Sequence, residues 1–241
     1  MKNRILLTAA FAALAIVLSS CGGGGANSNA NTSNTGNKPA NSNAGAANAN
    51  SAKTGAKPPE PKTEIKNEKK PEGQQAKGLP ADKKVPVPAN WIYYSDEVKG
   101  YGFWLPEGSV GDSSNVDGTD VFVAKVPEPS NVRVEVYAWK DKTLTKEDLL
   151  KMTVDAMKEQ GENVTAGNLQ GESDDYALAE ASSVDVDGKK YKMKILVGTD
   201  VTDNYVMVVY TDQDKYEANK SIVDAIWGSF EMYSGGASGN S

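Results

Sequence analysis

The sequence predicts an α+β fold in which a mainly antiparallel sheet is covered by two main helices. Several segments alternate apolar and polar residues with a period of two, which indicates strands. Residues 145–161 and 214–230 instead repeat their apolar residues with helical spacing. The order along the chain is therefore strands, helix, strands, helix. An antiparallel sheet with two helices covering it is the simplest arrangement that buries these apolar surfaces.

The first predicted strands lie between residues 91 and 139. Residues 91–94 and 101–105 form an opening hairpin, which Pro106 ends because proline cannot donate a hydrogen bond to a central sheet ladder. Residues 120–125 and 131–139 alternate again, and a proline-containing connection separates them. We therefore expect four strands in this half of the domain.

The predicted helices have distinct signals. Thr145 is the expected N-cap of the first helix, with Asp148 in the capping-box position, and Gly161 ends it. The second helix has an apolar stripe that consists of Ile222, Val223, Ile226, Trp227 and Phe230.

Three further strands are predicted between the two helices. Residues 176–186 and 189–197 flank Asp187-Gly188, a two-residue hairpin signal. Residues 204–211 are apolar on both faces, which places this strand in the centre of the sheet. A short strand near residues 164–170 is also expected.

Composition divides the chain into four regions. A low-complexity stretch rich in Asn, Ala, Ser and Gly, then in Lys, Pro and Glu, has too few large apolar residues to fold and predicts a disordered tether. All four Trp and all ten Tyr follow it. The predicted regions are a signal peptide (1–20), Cys21 with the tether (21–88), a globular domain (89–233) and a flexible tail (234–241).

The first 21 residues indicate export. Lys2 and Arg4 precede a short apolar run over residues 5–18, which is typical of a signal peptide. Leu18-Ser19-Ser20-Cys21 resembles the lipobox of bacterial lipoproteins, and this resemblance implies acyl chains, including palmitate, on Cys21. The partner of this anchor is the membrane of a bacterial cell envelope. Gly22 replaces the Asp of the inner-membrane retention signal, which favours the outer membrane where one exists. The alternative is a cleaved signal without acylation.

Charge is distributed unevenly and argues against nucleic acid as a partner. The chain has 26 basic and 32 acidic residues, of which twelve basic and five acidic residues precede residue 89. The remainder has 14 basic and 27 acidic residues, a net charge of −13, which repels phosphate backbones.

The residue inventory excludes most enzyme classes. The chain has no histidine, and its one cysteine is the predicted lipid site. Triads that need histidine and histidine-based zinc sites are therefore excluded. No phosphate-binding, dinucleotide-binding or nucleophile-elbow motif is present. We expect a non-enzyme without a cofactor other than the covalent lipid, and a carboxylate-based hydrolase is the weaker alternative.

Two candidate sites remain. In the loop around Gly118, before a predicted strand, four oxygen-bearing residues suit calcium, although solvated turn residues also explain them: Asp112, Asn115, Asp117 and Asp120. An aromatic cluster in the opening hairpin is either a partner surface or a part of the core: Trp91, Tyr93, Tyr94, Tyr101 and Trp104.

The domain resembles the PsbP-like superfamily, which includes bacterial lipoproteins of the DcrB and LpqN type. The resemblance rests on Trp91-Ile92-Tyr93-Tyr94, on Gly102-Phe103-Trp104-Leu105-Pro106, on the amphipathic helix in mid-chain and on the closing Ile226-Trp227-Gly228-Ser229-Phe230. It implies an α/β/α sandwich but no single activity. We therefore expect a non-catalytic module that binds or assembles another envelope protein, with a calcium- or small-ligand-binding module as the alternative.

Overall fold

A computed structural model describes residues 60–72, 75–79, 84–141, 144–171, 173, 175–200 and 203–233. The predicted signal peptide, Cys21, the first part of the predicted tether and the tail 234–241 lie outside these ranges. None of the helices found within them is both long enough and apolar enough to cross a lipid bilayer.

Strands dominate the described part of the chain. In chain order the elements are β1 (Ala76–Gly78), β2 (Ile92–Asp96), β3 (Tyr101–Leu105), β4 (Val110–Val116), β5 (Thr119–Lys125), β6 (Arg133–Lys140), α1 (Lys146–Glu159), β7 (Asn163–Ala166), β8 (Tyr176–Val184), β9 (Lys190–Thr199), β10 (Asp203–Asp212), a 3-10 turn (Gln213–Lys215), α2 (Tyr216–Gly228) and β11 (Glu231–Tyr233).

The strands form two antiparallel sheets. The large sheet has the order β4-β5-β6-β10-β9-β8-β7, and the small sheet has the order β1-β11-β3-β2. β10 lies in the centre of the large sheet, between β6 and β9, as its apolar residues on both faces predicted. The predicted opening hairpin is β2 paired with β3.

The helices cover opposite faces of the large sheet. The predicted capping box of α1 is confirmed, because the Asp148 backbone N–H donates to Thr145 Oγ1 and the Thr145 backbone N–H donates to the Asp148 carboxylate. Leu149 and Met157 of α1 pack on one face of the sheet, whereas Val223 and Ile226 of α2 pack on the other, together with the small sheet. The predicted α+β sandwich is confirmed, with the small sheet as an addition to the α2 layer.

The predicted domain boundary at residue 88 is wrong, because much of the segment before it is folded. We call residues 60–72, 75–79 and 84–88 the N-terminal strap. Its Ile65 and Leu79 side chains are buried in the core beside α2, and β1 pairs with β11. The composition of the strap predicted disorder because lysine, proline and glutamate dominate it and only these two large side chains are buried. The pairing of β1 with β11 could not be predicted from composition either, because backbone hydrogen bonds need no apolar side chain.

The strap also joins both sheets by backbone hydrogen bonds. The Gly111 N–H of β4 donates to Thr63 O at 2.8 Å, and the Glu68 N–H donates to Tyr93 O of β2 at 2.8 Å. These bonds cover part of the two exposed sheet edges, which would otherwise present unpaired backbone groups.

We call the two ends of the large sheet, along the direction of its strands, the upper end and the lower end. At the upper end, the β4–β5 turn, the end of β6 and the start of β10 lie together. At the lower end, the end of β5 and the start of β6 lie on the same side as the β8–β9 turn. Glu60 pairs with Arg133 there at 2.9 Å, so the preceding part of the chain joins the domain at its lower end.

Candidate functional site: an acidic cleft and a buried carboxyl pair

An open cleft of about 390 Å³ lies at the upper end of the large sheet. Its acidic residues come from three elements: Asp117 and Asp120 from the β4–β5 hairpin, Asp141 from the end of β6, and Asp203 from the start of β10. Lys99 and Lys140 also line it, as does Trp139. With four aspartates and two lysines, the cleft is acidic and suits a basic partner.

A tight turn positions the most exposed of these aspartates. Asp117 and Gly118 both have positive φ values, of 50° and 86°. Two such residues between paired strands form the hairpin turn for which Asp-Gly is favoured. The Asn115 side chain fixes the turn, since it accepts from the Gly118 N–H at 3.2 Å and donates to Asp120 Oδ1 at 2.8 Å. Lys99 forms an ion pair with Asp120.

The four residues expected around a calcium ion do not form one site. Asp112 and Asn115 lie on β4, where the sequence predicted a loop, and Asp112 is held by the strap through the Lys62 N–H at 3.0 Å and Thr63 Oγ1 at 2.5 Å. Three strand positions, or roughly 10 Å, separate Asp112 from Asn115. Across the described ranges, no three acidic, histidine or cysteine side chains converge as metal ligands would.

We therefore expect no calcium effect on stability. Calcium at about 1 mM, a concentration that saturates most extracellular calcium modules, should leave the melting temperature of the full chain unchanged relative to a sample with chelator. The measurement is a thermal melt followed by tryptophan fluorescence. A saturable rise in melting temperature that Asp117→Asn abolishes would restore the calcium hypothesis.

The five aromatic residues of the opening hairpin are buried or partly buried. Trp91 and Tyr101 belong to the core beside α2, and Tyr94 stacks on Phe122 with ring centres 4.0 Å apart. Tyr93 and Trp104 lie on the outer face of the small sheet, where their rings meet edge to face at 5.1 Å. Tyr93 is only 1 % exposed. These positions agree with the alternative that the cluster is part of the core.

The strap covers this outer face. The Tyr93 hydroxyl hydrogen-bonds to the Tyr233 hydroxyl, and Tyr233 donates to the Glu231 carboxylate at 3.1 Å. Lys70 and Lys84 of the strap pair with Glu231 at 2.6 and 2.9 Å. Burial raises the pKa of Glu231, but the hydrogen bonds from these lysines outweigh burial and hold that pKa below its usual value.

Sequence reasoning missed a pair of buried carboxyl groups beneath α1. Glu135 of β6 is 1 % exposed and accepts hydrogen bonds from the Tyr137 and Tyr210 hydroxyls at 2.7 and 2.8 Å. Glu162, just after α1, is 5 % exposed. Its carboxylate oxygens form no hydrogen bond with a described residue, although the Ser183 hydroxyl lies nearby.

Burial determines how these two groups titrate. Burial raises the pKa of Glu135 to about 7 against the opposing effects of its two tyrosine hydrogen bonds and the charge of Arg133. Burial also raises the pKa of Glu162 to about 7, and the charges of Glu135 and Asp185 add to this rise. Glu135 lies four strand positions from Trp139 of the cleft, or roughly 13 Å, so the pair is separate from the cleft.

Comparison with known proteins adds a likeness in fold. No protein family model matches the chain, and neither does any curated protein. The solution structure of cyanobacterial PsbP (CyanoP) from Synechocystis sp. PCC 6803 is similar, with 23% sequence identity and a TM-score of 0.48 over 61% of this chain and 95% of that one.

A second solved structure is also similar. It is a crystal structure from Bacteroides thetaiotaomicron VPI-5482, with 9% identity and a TM-score of 0.39. The similarity covers 60% of this chain and 49% of that chain.

Proposed function

We propose that the chain is a lipid-anchored protein of the bacterial cell envelope, and that its domain is a non-catalytic module that binds or assembles another envelope component. The anchor is supported by Cys21, which directly follows Leu18-Ser19-Ser20 at the end of a short apolar run. Two or three acyl chains hold a protein at a membrane far more firmly than one chain does.

The main support for the proposed binding role is that the cleft and the point where the chain enters the domain lie at opposite ends of the large sheet. Glu60, where the chain enters the described part of the domain, lies at the lower end, and the acidic cleft lies at the upper end. A domain held from its lower end presents its upper end to other envelope components. The partner that fits four aspartates and two lysines is a segment rich in lysine or arginine.

A catalytic role has less support. Glu135 and Glu162 have the near-neutral pKa values that general acids and bases need, but both lie in the core. A substrate that entered the cleft would remain roughly 13 Å from Glu135. The two carboxyls therefore act within the fold.

Photo-crosslinking in intact cells tests this proposal. A photoreactive amino acid in place of Asp117, in the cleft, should capture a basic envelope protein that mass spectrometry identifies. The matched position is Asp214, an exposed residue at the lower end. Asp203→Asn should weaken the capture at position 117, because it removes one of the four negative charges. Equal capture at both positions, or none at position 117, would contradict the binding role.

The anchor is tested separately in the same cells. Cys21→Ser should move the protein from the membrane fraction to the soluble fraction, and only the wild type should incorporate labelled palmitate. A Cys21→Ser variant that stays with the membranes would contradict the lipid anchor without affecting the interpretation of the cleft.

A further inference from the structure

A row of lysines lies on an open part of the large sheet, beside α2. Lys190, Lys192 and Lys194 alternate along β9 and share the face that α2 covers further along the sheet. The Lys192 ammonium lies 4.9 Å from the centre of the Tyr216 ring, and the Lys194 ammonium lies 4.7 Å from that of Trp227. We call Lys190, Lys192, Lys194 and Lys220 the lysine shelf.

The lysine shelf is positively charged within an acidic domain. Asp224 is shared between Lys194 and Lys220, each at 2.5 Å, and Glu180 lies 3.6 Å from Lys194. Lys190 and Lys192 form no ion pair with any residue that the structure describes. The shelf therefore holds two ammonium groups that no described carboxylate pairs with directly, although Glu217 of α2 and Asp187 of the β8–β9 turn are acidic neighbours and residues 89–241 carry a net charge of −13.

An exposed apolar side chain lies next to the lysine shelf. Val186, in the β8–β9 turn, is 66% exposed and lies two residues after Val184, the β8 residue that pairs with Lys190. Among the described residues, the other large apolar side chain with comparable exposure is Val98, at 79% in the β2–β3 turn of the upper end. An exposed valine beside unpaired lysines suits the boundary of an anionic membrane, where the valine enters the interface and the ammonium groups reach phosphates.

The attachment point of the chain lies at the same end. Val186 and Lys190 are at the lower end of the sheet, as is Glu60. The 39 residues from Cys21 to Pro59 connect this end to the predicted lipid anchor. Because such a connection makes a second membrane contact intramolecular, a few weak contacts are enough to orient the domain.

We propose that the lysine shelf and Val186 dock on the anionic lipid headgroups of the membrane that holds the anchor. The negatively charged membrane surface repels the acidic upper end, so both charge distributions favour the same orientation. The cleft then faces away from the membrane. This inference rests on the proposed function, since it requires lipid on Cys21.

The lipidated full chain allows a direct test, because acylation leaves no free thiol and an introduced cysteine is then unique. Val186→Cys and Val98→Cys are each labelled with a polarity-sensitive fluorophore and reconstituted in phosphatidylcholine vesicles, with or without about one third phosphatidylglycerol. Only the probe at position 186 should shift to shorter wavelength, only with phosphatidylglycerol, and the shift should disappear at high salt.

Substitutions in the lysine shelf provide the matched comparison. Lys190→Gln with Lys192→Gln should remove at least half of the shift at position 186. Lys62→Gln with Lys66→Gln, at exposed positions of the strap beside β4 and hence at the opposite edge of the large sheet, should leave it unchanged. Equal emission from positions 186 and 98, or a shift at position 186 without anionic lipid, would overturn the docking proposal while the anchor stands. A protein that does not float with either vesicle would overturn the anchor and the docking together.

Discussion

Deletion of residues 22–88, which leaves the domain with the boundary predicted from the sequence, is expected to unfold most of the protein. Burial of Ile65 and Leu79 contributes about 1.5–3 kcal/mol each. The deletion also removes β1 from the small sheet and uncovers the Tyr93–Tyr233 face. A combined loss of about 5 kcal/mol or more is comparable with the whole stability of many domains.

Thermal melts followed by near-UV circular dichroism measure this effect. In a Cys21→Ser background, a chain that lacks residues 22–88 should show either no cooperative melt or a melting temperature lower by roughly 10–20 °C. A chain that lacks residues 22–59 keeps the N-terminal strap and should melt like the full chain. Identical melts for the two deletions would show that the strap contributes nothing to the fold.

A point variant isolates one contact of the strap. Leu79→Ala should cost about 2–5 kcal/mol in the free energy of unfolding, because Leu79 is 5 % exposed and lies against α2 and the small sheet. Val98→Ala, on an exposed turn, should change that free energy by less than about 0.5 kcal/mol. Urea unfolding followed by tryptophan fluorescence compares the two, and equal small effects would place Leu79 outside the core.

The second large effect is a loss of stability as the pH rises from about 4.5 to about 7. Between these values a glutamate in the unfolded chain is ionised, while Glu135 and Glu162 in the folded chain keep their protons, because burial raises the pKa of each to about 7. The folded state then binds more protons than the unfolded state, so the free energy of unfolding falls with rising pH. Each group contributes a loss of about 3 kcal/mol, which is complete above pH 7.

Two other carboxylates affect the free energy of unfolding at lower pH. The pKa of Asp224 and that of Glu231 lie below their usual values, because hydrogen bonds from lysines outweigh the effect of burial. Their stabilising contribution is fully present above the unfolded pKa near 4 and is lost as the pH falls through the lower folded value. Stability should therefore be greatest near pH 4.5 to 5.

Urea unfolding at a series of pH values compares the wild type with Glu162→Gln. Glutamine has a similar size but cannot ionise, so the decline between pH 4.5 and 7 should be about halved, and the variant should be more stable than the wild type at pH 8. Glu159→Gln, exposed at the end of α1, should follow the wild-type curve. If Glu162→Gln also followed the wild-type curve, proton binding at Glu162 would not be linked to folding.

Local signals explain the parts of the fold that the sequence predicted. The capping box of Thr145 and Asp148 involves residues three apart. The β8–β9 hairpin lies where Asp187-Gly188 predicted it, but Asp185 pairs with Lys189, so the loop has three residues rather than two and only Gly188 has a positive φ. The alternation in β6 and the apolar run of β10 report how many faces of each strand are buried. Short strands such as β1 and β11 have too few residues to show any period.

Less of the candidate site could be predicted from the sequence. Asp117 and Asp120 lie together in the cleft, but nothing in the sequence indicated that Asp141 and Asp203 would join them, because these residues are distant from them in the chain. Glu135 alternates with Val134 and Val136, as a residue on a solvent-exposed face would. The Glu135 carboxyl is buried because α1 and its neighbours pack over that face of the sheet, which the alternation in β6 does not show.

The sequence by itself determined the α+β class, both main helices and most of the strands, because these depend on contacts between near neighbours, but it missed β1, β4 and β11. The lipid on Cys21 remains a prediction from sequence. Tertiary structure alone decided which strand faces are covered, that the strap is part of the domain, and that Tyr93 meets Tyr233 across 140 positions. The physical reason is that burial of a side chain is a property of what lies over it, and in this protein the covering element is often distant in the chain.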